Sequence, residues 1–258
     1  MKRVLTALWL IPASTYSIFF APPLVFAIVI SVVAVLCYRE YTRIVDNQGL
    51  ASTALLGYPL GLLLMNFPGL AWYDIFLLAP IALAIGLRSK DLKTGFASSG
   101  AFALGLLYIF GAWRCGIALH ERSAHWLFFA VALNWAGDIS AYYTGRTFGK
   151  HKLAPTISPG KTIEGALGGI LATVVFGCLY LPYFIPEISL GEAAILSILG
   201  NIAGQTGDLA ESALKRGAAM KDSGTMLAGH GGWLDRLDSS LFSLPMVYWT
   251  LLAFQRWQ

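Results

Sequence analysis

Charge is scarce in this sequence. Only 12% of the 258 residues are Asp, Glu, Lys or Arg, whereas a soluble domain carries about 25%. Hydrophobic residues make up 57% of the chain, and its mean hydropathy is +0.65. This composition argues against a soluble globular domain. It predicts an all-α, polytopic integral membrane protein with about nine transmembrane helices.

Cysteine and histidine are sparse too, with three Cys and four His. Cys37, Cys115 and Cys178 stand far apart in apolar segments, and the sequence contains no CxxC pair. We therefore expect neither a disulfide framework nor a zinc site, and we predict three buried thiols. The formal net charge is only +4. Basic residues beside membrane spans set topology, so no nucleic-acid partner is expected.

Apolar segments long enough to cross a bilayer, which takes about 17–25 residues, recur along the chain. Pro22 and Pro23 separate the first two segments, because proline cannot continue a helix. No clear signal-peptide cleavage site follows the basic N-terminus, so we interpret the first segment as an uncleaved span. The predicted spans are residues 4–20, 23–38, 50–66, 70–87, 98–119, 124–144, 163–182, 190–210 and 239–254.

The positive-inside rule supports this layout. With a cytoplasmic N-terminus, fifteen Lys and Arg residues fall in cytoplasmic segments and only two fall outside. The large polar loops 145–162 and 211–238 then face the cytoplasm, where nucleotides are available. We divide the chain into an N-terminal membrane scaffold, residues 1–97, of about four helices and a C-terminal catalytic membrane domain, residues 98–258, of about five.

Two glycines in the third span, Gly57 and Gly61, are four residues apart. Small residues at this spacing let another helix approach closely. Packing within the chain and contact in a homodimer both stay open as interpretations.

Polar residues first enter the membrane in the fifth span, with Arg114, and in the sixth. Asn134, Asp138 and Tyr142 are spaced four apart and therefore share one helical face. One interpretation is hydrogen bonding between helices. The other, which we favour, is the polar wall of a cavity open to the cytoplasm, because a carboxylate in a span is costly without a function.

The first cytoplasmic loop reads GRTFGKHKLAPTISPGKTIEG over residues 145–165. Its glycines, hydroxyls and basic residues suit a polyphosphate or a lipid phosphate, although a topology anchor without substrate contact is the alternative. Gly160-Lys161-Thr162 resembles the end of a P-loop, but Pro155 occupies the position where that motif needs Gly. Thr162 is expected to cap the following helix, with Glu164 in its first turn.

The most informative stretch is residues 201–238, which holds five of the fourteen acids and four of the eighteen Lys and Arg. No proline occurs from Leu190 to about Gly217, which predicts a helix of about 40 Å that emerges from the bilayer. On it Asp208, Glu211, Ser212 and Lys215 form one polar face.

A segment with Lys221 and Asp222 follows this helix, and its glycines are expected to permit tight backbone turns against a ligand. Asp235 and Asp238 open the last helix. Carboxylates that converge on Mg²⁺, with cations around phosphate oxygens, indicate nucleotidyl or phosphoryl transfer. The alternative is a salt-bridged surface loop. For His230, ordering the turn is an equally good explanation.

This stretch resembles the phosphatidate cytidylyltransferase family, also called CDP-diacylglycerol synthase. The matching residues span 27 positions and include every charged position of the family signature. Ala228 and Trp233 depart from the pattern, but neither carries a charge or a ligand atom. The matching residues are Ser212, Leu214, Lys215, Arg216, Lys221, Asp222, Gly224, Leu227, His230, Gly231, Gly232, Asp235, Arg236, Leu237 and Asp238.

The resemblance implies that CTP and phosphatidate give CDP-diacylglycerol and pyrophosphate at a membrane, expected to be the bacterial inner membrane. It implies Mg²⁺ on Asp208 and Asp235, and a second, monovalent cation such as K⁺. The expected catalytic residues are Lys215, Arg216, Lys221, Asp222, His230 and Asp238. The expected substrate-binding residues are Asn134, Asp138, Arg146, Ser158, Lys161, Ser212 and Arg236.

Two other functions are alternatives to this reaction. A CTP-dependent lipid-alcohol kinase, of the dolichol or phytol kinase kind, would release CDP instead of pyrophosphate. A lipid or anion transporter would show internal repeats and discontinuous helices, and the two halves of the sequence show no repeat. Transport also gives no reason for a cytoplasmic cluster of acids.

Overall fold

The computed structural model describes residues 12–51, 54–67, 72–86, 92–227 and 231–257, and these are almost entirely helical. A 3₁₀ turn (Trp72–Leu77) precedes α4, a π-helical stretch (Leu106–Gly111) joins α5 to α6, and two short strands, β1 (Lys152–Ala154) and β2 (Ser158–Thr162), precede α8. The helices are α1 (12–20), α2 (Pro23–Asn47), α3 (Ala54–Asn66), α4 (Leu78–Gly86), α5 (Leu92–Gly105), α6 (Ala112–Arg122), α7 (Ala124–Phe148), α8 (Ile163–Phe184), α9 (Leu190–Gly217) and α10 (Leu234–Trp257).

The helical membrane architecture is confirmed. Over the described residues, four segments are long and apolar enough to cross a membrane by length and composition, namely Pro23–Asn47, Lys93–Arg122, Ile163–Phe184 and Leu234–Phe254. Every predicted span overlaps a helix, although the first span lies partly outside the described residues. The count of nine spans and the cytoplasmic N-terminus stay predictions.

Proline and capping residues set several helix ends. α1 ends at residue 20, and α2 begins at Pro23 with proline in its first turn, as expected from Pro22-Pro23. α9 runs from Leu190 to Gly217, which confirms the prediction from the proline-free segment. α2 continues well past the predicted end of its span at residue 38. Polar residues therefore extend this helix beyond its apolar run.

The described residues form two compact units. Unit 1 comprises Pro22–Arg114 and Leu214–Arg236, and unit 2 comprises 12–21, Cys115–Ala213 and 237–257. This grouping differs from a division at residue 97, because a late segment of the chain packs with early helices. The functional roles assigned to the two predicted domains stay predictions.

In unit 1, the two glycines of α3 pack within the chain. A Cβ at Gly57 would overlap the Tyr38 ring of α2, and a Cβ at Gly61 would overlap the Phe110 ring. Close approach to these rings explains the glycines without a second copy of the chain. The homodimer stays a prediction.

Arg114, the one basic residue expected inside a span, caps a helix in unit 1. Its Nη1 donates to the carbonyl oxygens of Leu64 and Phe67, both at 3.0 Å. These carbonyls lie at the C-terminal end of α3, where helix carbonyls lack intrahelical partners. A cation there also interacts favourably with the helix dipole.

In unit 2, α8 has two distinct faces. The packed face is built of small residues, and a Cβ at Gly165 would come 2.8 Å from the carbonyl oxygen of Ala141 in α7. The buried positions on this face are Gly165, Gly169, Thr173, Gly177 and Leu181. The exposed row, which is available to lipid, is Leu167, Leu171, Val175 and Leu179.

The segment before α8 forms a hairpin that the sequence analysis did not predict. β1 and β2 pair antiparallel, with Lys152 opposite Thr162. Gly160-Lys161-Thr162 lies in β2, so it does not form the loop of a P-loop motif. The predicted cap is confirmed, since Thr162 Oγ1 accepts a hydrogen bond from the Gly165 N–H at 3.1 Å and Glu164 occupies the first turn.

None of the three cysteines is in a disulfide, and all three lie within the described residues. Cys37 is buried, as predicted, whereas Cys115 and Cys178 are only half-buried. The prediction of buried thiols was therefore wrong for two of the three. An apolar segment in a membrane helix need not be covered by protein, because lipid can cover it instead.

Candidate active site

Lys215 and Asp235 form a buried ion pair in unit 1. Lys215 Nζ lies 2.5 Å from Asp235 Oδ1, and the two side chains are 10% and 6% exposed. The backbone N–H groups of Ser223 and Gly232 also donate to Asp235 Oδ2, at 3.0 and 2.7 Å. The structure therefore brings together two residues that the sequence analysis assigned to the site.

A third residue of this cluster, Glu40, was missed by the sequence analysis. Glu40 lies on α2 and is only 4% exposed. Its Oε2 accepts from the Ser223 hydroxyl at 2.8 Å and the Leu234 N–H at 2.9 Å, and its Oε1 accepts from the Trp233 N–H at 3.1 Å. The carboxylate thus caps the N-terminus of α10 from another helix.

The glycines of this segment pack against carboxylates of the protein itself. A Cβ at Gly224 or Gly232 would overlap the carboxylate of Glu40. Gly231 has φ +79°, a left-handed conformation that favours glycine. The expectation that these glycines make room for a ligand therefore needs correction at Gly224 and Gly232, where the space is taken by Glu40.

A second ion pair lies in unit 2. Lys161 Nζ, on β2, is 2.5 Å from Asp208 Oδ2, on α9, with side chains 27% and 32% exposed. The Ser212 hydroxyl lies 3.4 Å from Asp208 Oδ1, one turn further along α9. These three residues were all assigned to the site from sequence. Unlike the pair in unit 1, this one is open to solvent and therefore accessible to a soluble ligand.

Glu164 fastens the segment after α7 to the start of α8. It accepts hydrogen bonds from the N–H groups of Lys150 and His151, at 3.1 and 3.2 Å, and from His151 Nδ1 at 2.6 Å. These contacts fix both ends of the hairpin that carries Lys161. The sequence alone predicts Glu164 only as a first-turn acid of the helix.

The polar face of α7 changes character along its length. Asn134 is buried and donates to Ser243 Oγ of α10 at 2.9 Å. Asp138 and Tyr142 are exposed. The interhelical hydrogen bond at Asn134 is thus present, and the substrate-binding roles of Asn134 and Asp138 stay predictions.

Four of the charged residues predicted in the site have exposed side chains: Arg216, Lys221, Asp222 and Arg236. Among these, Arg216 Nη1 donates to the carbonyl oxygen of Met220 at 3.2 Å. Arg146 is also exposed, with its Nη1 3.3 Å from the Tyr142 hydroxyl. These exposed side chains are accessible to a soluble ligand.

The remaining predicted residues differ in position. Asp238 is buried, and its Oδ1 accepts from the Ser239 N–H at 2.7 Å. Ser158 is half-buried in β2. His230 lies outside the described residues, so its predicted role is untested.

Comparison with known proteins assigns this chain to a family. The model of the cytidylyltransferase family matches residues 1–254. The chain belongs to the cytidylyltransferase family. It is similar to proteins named phosphatidate cytidylyltransferase from three bacteria. The protein from Staphylococcus aureus (strain COL) is 33% identical over 239 residues, 87% of each chain. The Staphylococcus saprophyticus protein is 35% identical over 195 residues, 73% of this chain and 75% of its own. The Bacillus subtilis (strain 168) protein is 40% identical over 167 residues, 62% of this chain and 60% of its own.

The carboxylates of this cytidylyltransferase-family chain suit a magnesium ion. Mg²⁺ prefers carboxylate oxygens, and in nucleotide sites it binds through one or two carboxylates plus substrate phosphates. Throughout the described part of the chain, no group of three or more His, Cys, Asp or Glu could hold a metal ion. Asp208 and Asp235 each form an ion pair with a lysine ammonium. The magnesium ion and its assignment to these two carboxylates stay predictions.

Proposed function

We propose that this protein is a phosphatidate cytidylyltransferase, which converts CTP and phosphatidate to CDP-diacylglycerol and pyrophosphate. The observation that carries the proposal is the buried Lys215–Asp235 pair, set within the residues that match the family signature. The relatives that bear this enzyme name support the same reaction. CTP and phosphatidate are thus the proposed substrates, and membrane lipid surrounds the protein.

In the proposed reaction, an oxygen of the phosphatidate phosphate attacks the α-phosphorus of CTP. A new P–O bond forms there, the bond from the α-phosphorus to the bridging α–β oxygen breaks, and pyrophosphate leaves with that electron pair. Phosphatidate is already ionised at neutral pH, so the reaction needs no strong general base. Positioning and charge stabilisation supply most of the catalysis.

Within this scheme the side chains have separate tasks. Lys161 and Arg146 bind phosphate oxygens from the hairpin side, where both are accessible to a soluble nucleotide. Lys215 and Arg216 stabilise the charge that develops on the transferred phosphate. Mg²⁺ on Asp208 and Asp235, when bound, would neutralise the triphosphate and act as a Lewis acid. A monovalent cation such as K⁺ stays part of the proposal without a residue assigned to it.

The proposed location is the bacterial inner membrane, with the site on the cytoplasmic side. The distribution of Lys and Arg along the chain supports this orientation. CTP is then available from the cytoplasm, and phosphatidate from the adjacent leaflet.

The test is release of pyrophosphate from CTP by the purified protein in detergent, with and without phosphatidate and Mg²⁺. We expect release only when all components are present, and its loss in Asp235→Ala. Glu187→Gln, an exposed acid in the segment between α8 and α9, is the matched control and should retain full activity. Release of CDP would indicate a lipid kinase instead. No nucleotide turnover with phosphatidate would refute the proposal.

A further inference from the structure

Glu40 stands out as a buried acid that the reaction scheme leaves unused. It lies in α2, a helix that the sequence assigns to the membrane scaffold, yet it accepts hydrogen bonds from Ser223, Trp233 and Leu234, far along the chain. An acid buried at 4% exposure is costly unless it is well hydrogen-bonded. The cost of burying Glu40 indicates that its hydrogen bonds serve to hold Ser223, Trp233 and Leu234 in place.

Glu40 and Asp235 together determine the backbone path of this segment. Ser223 donates its hydroxyl to Glu40 and its N–H to Asp235, so a single residue links both carboxylates. At the other end, Gly232 packs on Glu40 and donates its N–H to Asp235. Any shift of Glu40 would therefore move the donors that orient Asp235.

We propose that Glu40 is a positioning residue for cytidylyl transfer, which acts by holding Ser223, Trp233 and Leu234 so that Asp235 and Lys215 keep their geometry. This inference rests on the proposed function. Glu40 does not touch the reacting atoms in this scheme. It acts through the start of α10, which it caps, and through the segment that carries Lys221 and Asp222 next to Ser223.

The choice of a carboxylate follows from its hydrogen bonding. Ionised Glu offers two oxygens that only accept, and the three groups facing it all donate. In Glu40→Gln, one of these oxygens becomes an NH₂ group, which would face a donor and could not accept from it. The substitution keeps the size of the side chain, so its effect reports on hydrogen bonding and charge.

The experiment compares Glu40→Gln, Ser223→Ala and the double variant with the control Glu187→Gln in purified full-length protein. We measure kcat and KM for CTP, the unfolding midpoint, and hydrogen exchange in the peptide that contains Trp233 and Leu234. In Glu40→Gln we expect kcat to fall about 100-fold with a smaller change in KM, because misplaced catalytic groups cost about that much. Exchange at the two amides should be about tenfold faster.

The double variant tests whether both changes act on one contact. If Glu40 works through Ser223, the double variant should lose much less than the product of the two single losses. Wild-type kcat and exchange in a folded Glu40→Gln protein would overturn the proposal. If Glu40→Gln does not fold, Ser223→Ala decides, and wild-type kcat and exchange in that variant would overturn it as well.

The exchange measurement separates this inference from the proposed function. Hydrogen exchange reports how strongly Glu40 constrains the start of α10, and the measurement needs no substrate. A wild-type protein that releases no pyrophosphate refutes the cytidylyltransferase reaction, whereas unchanged exchange in Glu40→Gln refutes the positioning role.

Discussion

Two lysine–carboxylate pairs of equal length differ in burial, and this difference predicts unequal effects on stability. Lys215–Asp235 and Lys161–Asp208 are both 2.5 Å long, but the side chains of the first are 10% and 6% exposed and those of the second 27% and 32%. Removing one partner of a buried pair leaves the other charge buried without its partner, which lowers the free energy of unfolding by about 3–5 kcal/mol. A partly exposed pair contributes only about 0–1 kcal/mol, because water solvates the charge left behind.

The change to make is Lys→Met at each pair, which keeps most of the side-chain volume and removes the ammonium. For a domain of about this size, 1 kcal/mol corresponds to roughly 2–4 °C in the unfolding midpoint. We therefore expect Lys215→Met to lower the midpoint by about 6–20 °C and Lys161→Met by less than about 4 °C. The measurement is thermal unfolding of the purified protein in a single detergent.

The double variant Lys215→Met with Asp235→Asn provides the control. Neutralising both partners removes the stranded charge, so the double variant should be more stable than Lys215→Met alone. Equal, small shifts of the unfolding midpoint for Lys215→Met and Lys161→Met would show that burial does not determine what these pairs contribute to stability. A double variant no more stable than Lys215→Met would show that the loss does not come from an unpaired buried charge.

Three further predictions concern packing and polar contacts. Gly165→Ala should lower the free energy of unfolding by about 1–3 kcal/mol, because its Cβ would press on a backbone carbonyl of α7; Gly191→Ala, whose Cβ would meet nothing within 4 Å, is the control, and equal losses would contradict the argument. Arg114→Leu should cost about 1–3 kcal/mol by leaving two carbonyls without their donor, with KM for CTP unchanged; a raised KM would instead implicate Arg114 in binding. Asn134→Ala separates two interpretations, since loss of an interhelical bond lowers the unfolding midpoint alone, whereas a substrate-binding role also raises KM for CTP or phosphatidate.

Local signals in the sequence predicted local structure well. The proline-free segment from Leu190 to about Gly217 predicted one long helix, Pro22-Pro23 predicted the break before α2, and Thr162 was expected and found as the cap of α8. Each of these features depends on residues within a few positions of one another. The signature residues were likewise found because their spacing is local.

Contacts between distant parts of the chain were not predictable in this way. Glu40 lies 183 positions before Ser223, and no helical or strand periodicity connects them. The available signal was Glu40 itself, an acid that follows an apolar segment. The predicted span ended at residue 38, so Glu40 fell outside it. The half-buried Cys115 and Cys178 were missed for a similar reason, because periodicity does not distinguish a lipid-covered face from a protein-covered one.

The capping of α10 by a side chain of α2 has a consequence for how the chain can be divided. A fragment that begins at residue 98 would contain the whole family signature but would lack the acceptor for the amides of Trp233 and Leu234. The last helix would then start with exposed donors and an unanchored first turn. We therefore expect that the C-terminal half does not fold as a separate module, and that chimeras with related enzymes should exchange α2 together with residues 214–236.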